Sequence, residues 1–101
     1  MANAYKSKLV VVSTTGSNVI FFTADGNTIV RDVMIYAKGG AANVAIIYDD
    51  RTNDDAVAYK AMSADETWRP FATPLAMNDL HELKVNTSVS VNILITYVEF
   101  D

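Results

Sequence analysis

The stretch Ser88 to Phe100, S-V-S-V-N-I-L-I-T-Y-V-E-F, decides the fold. Val89, Val91, Ile93, Ile95 and Tyr97 share one parity; Ser90, Asn92 and Thr96 begin the other, which turns apolar at Leu94, Val98 and Phe100. A two-residue period belongs to a strand with one face always buried. Leu94 and Val98 imply that its far end is covered on both sides. At thirteen residues the stretch is long beside the usual strand of about five or six. It is therefore expected to run the full height of a sheet, with other strands pairing on each side.

Upstream, Leu80 to Thr87 sets Leu83, Val85 and Thr87 against Glu82, Lys84 and Asn86. In Glu66 to Phe71, Pro70 cannot donate to a ladder, which places that strand at an edge or cuts it short. Its Trp68 and Phe71 either fold over the core or anchor a neighbour. Ala56 to Met62 and Ala42 to Asp49 alternate as strands, and the helical alternative over Asp54 to Met62 is too short and too β-branched to hold. Thr28 to Ala37 sets Ile29, Val33 and Ile35 against Val30, Met34 and Tyr36, so the adjacent Arg31 and Asp32 are expected on opposite faces and not to pair. Lys38-Gly39-Gly40 reads as a hairpin turn before Ala42. Asn18 to Thr23 reads as the hairpin partner of Tyr5 to Ser13. About eight strands at this spacing predict an all-β fold, a single antiparallel β-sandwich or jelly roll over residues 1–101.

The chain has 101 residues and no cysteine, which leaves no disulfide framework and no thiolate zinc site. The lone His81 disfavours a histidine metal cluster and is the only imidazole on which a Ser-His-Asp device could be built; it reads as a surface residue in a strand. A net charge of -4 and the lack of a basic run disfavour nucleic acid and anionic membranes as partners. The N-terminal residues show no apolar run of signal or membrane-span length, which predicts a product that stays in the cytoplasm where it is made. No Walker, dinucleotide or G-x-S-x-G glycine pattern occurs, so no enzyme, cofactor or metal is expected. The loop Asp49 to Asp55 has the oxygen ligands of a calcium site but not the spacing of an EF-hand, and reads as a solvated hairpin loop.

Two groups of segments resemble small virion proteins of tailed bacteriophages. The first is Ala4-Tyr5-Lys6 with Leu9 to Val12, then Val19 to Thr23, then Asn27-Thr28-Ile29-Val30-Arg31-Asp32-Val33. The second is Ala64-Asp65-Glu66-Thr67-Trp68, Pro74-Leu75, Leu83-Lys84-Val85 and Val91 to Phe100. The chain departs from that group at Asn78-Asp79, where a glycine tends to precede the aspartate, and at Phe100, where an aliphatic residue is usual. The resemblance implies a non-enzymatic β-sandwich component of the virion, present in many copies and assembled in the host cytoplasm, and transfers no catalytic residue.

The expected role is a capsid decoration or cement protein bound to other virion proteins, the major capsid protein first, as a homo-oligomer such as a trimer. Residues 1–8 are expected to form an extended N-terminal arm that adds a strand to a neighbour. The expected contact residues are Tyr5, Lys8, Arg31, Trp68, Arg69 and Phe71. The alternative is a tail, neck or fibre-associated module that binds a glycan or receptor through the Asp49 to Asp55 loop with Tyr48 and Tyr59.

Overall fold

The computed structural model describes residues 4–100. Among these residues nine strands lie in two antiparallel sheets: β1 (Ala4–Val12), β2 (Val19–Thr23), β3 (Thr28–Tyr36), β4 (Ala42–Asp49), β5 (Asp54–Met62), β6 (Thr67–Trp68), β7 (Leu75–Met77), β8 (Glu82–Thr87) and β9 (Val91–Glu99). The first sheet runs β1-β9-β3-β6 with β7 also on β3, and the second runs β2-β8-β4-β5. The short β6 and β7 are two pieces of one edge strand, broken where Pro70 and Pro74 remove ladder donors. Counted so, the molecule is a jelly roll of four strands on four.

The last strand holds the centre of the first sheet, between β1 and β3. Val91, Ile93 and Ile95 face the second sheet and are fully buried. Opposite them stand Val44, Ile46, Leu83 and Val85, equally inaccessible, and between the sheets Phe22 meets Tyr97 edge-on with centroids 4.8 Å apart. Coverage of the far end of β9 is partial: Val98 is buried, whereas Leu94 stays 37% exposed.

Two expectations about pairing are corrected. β2 does not pair with β1, and β4 does not pair with β3; each crosses to the other sheet. Gly39-Gly40 thus serves an inter-sheet crossing, where Gly39 lies so close to Ser90 that a Cβ would sit 3.1 Å from its carbonyl oxygen. Of the links expected to be hairpins, only β4 to β5 is one.

Bulges reset parity in both sheets. In β3 the register shifts between Val30 and Asp32, so Val30 and Val33 are both buried with two charged residues between them. Arg31 and Asp32 therefore lie on the same outer side, not on opposite faces; burying either would have cost several kcal/mol, on the order of the penalty for an ion in the interior. A second shift between Ile20 and Phe22 lets the consecutive Phe21 and Phe22 both enter the core.

The N-terminal arm is corrected as well. Residues 4–8 are the start of β1, each in register with a residue of β9, from Ala4 opposite Glu99 to Lys8 opposite Ile95. The strand is nine residues long and pairs with β9 along its whole length, with its other side forming an edge of the sheet. Residues 1–3 of the expected arm lie outside the described residues.

Candidate interaction surfaces

A sheet with one face on the core and the other in water should carry polar residues outside. On the first sheet the polar row of Ser7, Thr96 and Asp32 is flanked by apolar rows. The outward parity of β1 presents Tyr5, Leu9 and Val11, which are 73%, 63% and 56% exposed. Cross-strand neighbours extend this surface, since Leu9 stands opposite Leu94 and Leu94 opposite Met34. At the β7 side the surface dips into a depression of about 350 Å³ lined by Tyr5, Ile29, Arg31, Pro74, Val98 and Phe100. Exposed apolar rows beside a polar row, with Arg31 at the depression and Arg69 on Asp32, suit burial against another protein.

Of the six expected contact residues, the structure brings Tyr5 and Arg31 together at this depression. Lys8 is exposed on the inner parity of β1, where a charge discourages unwanted edge pairing. Arg69 turns to Asp32, with Nε 3.2 Å from Oδ2. Trp68 and Phe71 pack against the core, because Trp68 stands opposite the buried Ile35. The residues missed are Leu9, Val11, Met34 and Leu94. Their signal is the run of large residues on both parities of β1 and β9, which exceeds what one core can cover.

The second sheet has a different outer face. A depression of about 420 Å³ is lined by Asn18, Asn43 and Asn86, by Ala45, Ile47 and Ala56, and by Tyr59. Asn86 donates from Nδ2 to Asn18 Oδ1 at 3.0 Å. Tyr48 and Tyr59, expected to share a glycan site, are not brought together: Tyr48 shares a 2.8 Å hydrogen bond with His81 Nδ1, and Tyr59 projects from the outer face. Burial pushes the Tyr48 phenol up from its ordinary value. His81 itself precedes β8 and does not lie within it.

The carboxylates of the β4–β5 loop are committed to the loop. Asp50 Oδ1 accepts from the backbone N–H of Thr52 and Asn53 at 2.9 and 2.6 Å, and Asp49 Oδ1 accepts from Arg51 N–H at 2.8 Å. These amides first of all hold both carboxyls below their ordinary range. Lys84 Nζ lies 3.1 Å from Asp49 and 2.9 Å from Asp54, and its own value is raised, by the Asp54 hydrogen bond above all. Among the described residues no group of three or more His, Asp or Glu side chains is placed to hold a metal ion. No helix among them is long and apolar enough to cross a membrane.

No protein-family model matches the chain, and no curated protein matches it. Among solved structures it is similar to a chain of the virus-like particle of extra small virus from the giant freshwater prawn Macrobrachium rosenbergii, seen by cryo-EM. That likeness has 16% identity and a TM-score of 0.43, over 100% of this chain and 82% of the other.

Proposed function

We propose that this chain is a non-enzymatic structural subunit of a virus particle, of the decoration or cement type, which seats the outer face of its first sheet on neighbouring shell subunits. The observation that carries the reading is that face, with Tyr5, Leu9 and Val11 more than half exposed on an edge strand that is in register with β9 throughout. The molecule's longer dimensions of 43 and 27 Å bound a face on the order of 1,000 Å², against about 800 Å² per partner in a standard interface. Exposing so much apolar surface to water has no benefit for a free monomer. Jelly rolls are a recurrent fold of virion proteins, and the short motifs around Thr28 to Val33 and Ala64 to Trp68 resemble phage virion proteins, which supports the assignment by analogy.

The chain's copy number in purified virions tests this reading, by quantitative mass spectrometry with imaging of labelled particles. Hundreds of copies over the head are expected. A few copies at the tail would move the assignment to a tail, neck or fibre-associated module, and absence from particles would overturn both. Sedimentation of the free protein reads its self-association, for which a homo-oligomer, in the simplest form a trimer, is the expected state.

A further inference from the structure

The outer face of the second sheet carries a feature that assembly through the first sheet does not use. Across three strands, Asn86, Ala45 and Tyr59 stand side by side, and the next row places Lys84, Ile47 and Ala56 together. The alanines leave a floor one methyl deep between a wall of amides and a tyrosine ring. We propose that this depression is a binding site for a neutral saccharide, one pyranose ring lying on Tyr59 with its hydroxyls on Asn18, Asn43 and Asn86.

The chemistry of the lining commits the site to that class. A carboxamide offers donors and acceptors on one plane, which matches adjacent hydroxyls that also do both. One donor of Asn86 is spent on Asn18, which orients the pair and leaves the remaining amide groups free for a ligand. Tyr59 is 65% exposed and supplies a flat apolar surface for the C–H face of a sugar ring. None of the lining residues is charged, and the nearby Lys84 is neutralised by Asp49 and Asp54. Phosphate and carboxylate ligands therefore find no free counter-charge there. At about 420 Å³ the space falls within the usual range of roughly 300 to 1,000 Å³ for small-ligand sites. Asparagine is disfavoured in strands, yet Asn43 and Asn86 both occupy strand positions beside the depression.

The test is a titration of the ¹⁵N-labelled chain, followed by amide chemical shifts, with the methyl glycosides of glucose, galactose, mannose and N-acetylglucosamine. At least one should give saturable shifts confined to Ala45, Ala56, Asn86 and their neighbours. Tyr59→Ala should weaken that binding about tenfold, the loss of one good stacking contact. Ala56→Leu should abolish it by filling the floor, and its amide spectrum reports whether the fold is kept. The proposal is overturned if no glycoside shifts these amides, if only an acidic sugar such as methyl sialoside does so, or if Tyr59→Ala binds as well as the parent. Because the site lies on the other sheet, each of these outcomes is independent of the virion reading.

Discussion

Val30-Arg31-Asp32-Val33 shows how single residues shape this molecule. Two adjacent charges inside a strand would force one inward, and the bulge avoids that by placing both outside while Val30 and Val33 stay buried. The positive φ of Leu80 is a second case, 68° in the turn before β8, where His81 N–H donates to Asn78 carbonyl oxygen at 3.1 Å. The left-handed position is thus Leu80, so Asn78 needs no glycine, and Asp79 instead accepts from Gly26 N–H at 2.7 Å. Leu80→Gly should raise thermal stability slightly and Leu80→Val should lower it, since a β-branched residue is strained there; thermal melts of the two variants decide. Asp49, Asp50 and Glu66 are all held below their ordinary values by backbone amides. Depressed carboxyls add stability that is complete above the ordinary values of 3.8 and 4.5 and is lost as pH falls through the lowered ones. Tm should therefore drop on acidification below about pH 4. Lys84→Met should lower Tm at neutral pH, with the difference shrinking in acid as Asp49, held low in part by Lys84, takes up its proton. Equal effects at both pH values would contradict the clamp.

At the scale of elements, β9 organises the fold because one of its faces is buried along its length. Ile95→Ala should cost about 2 to 5 kcal/mol in denaturant unfolding, as for a filled core position. Leu94→Ala, one residue away on the outer face, should change stability by less than about 0.5 kcal/mol, as expected of a surface site. Comparable losses for both would mean that the parity is wrong. Alternation made this strand legible in the sequence, along with β4, β5, β8 and the proline-broken edge. The strand pairing was not legible: parity records which face a residue uses but not which sheet the strand joins, so β2 and β4 read as hairpin partners of the strands before them. The bulges were hidden for a related reason, since Phe21-Phe22 and Arg31-Asp32 break the period that reveals a strand. Of the expected contact residues, Tyr5 and Arg31 line one depression on the outer surface, a juxtaposition that the sequence does not reveal, whereas Trp68 stands opposite the buried Ile35.

At the scale of the whole molecule, the two outer faces differ in kind. One carries broad apolar rows on either side of Ser7, Thr96 and Asp32, and the other holds a small neutral hollow rimmed by amides. A subunit seated by the first would leave the second directed away from its support, a division of labour open to testing one face at a time. Docking through the Tyr5, Leu9 and Leu94 face is tested most directly by Leu9→Asp, because that side chain is 63% exposed and lies outside the core. Binding of parent and variant to shells purified from a virus deleted for this gene can be measured by co-sedimentation, with circular dichroism confirming the fold. A folded variant that binds at least about tenfold more weakly is expected, the loss typical of a central interface contact. A folded variant that co-sediments as well as the parent would contradict it.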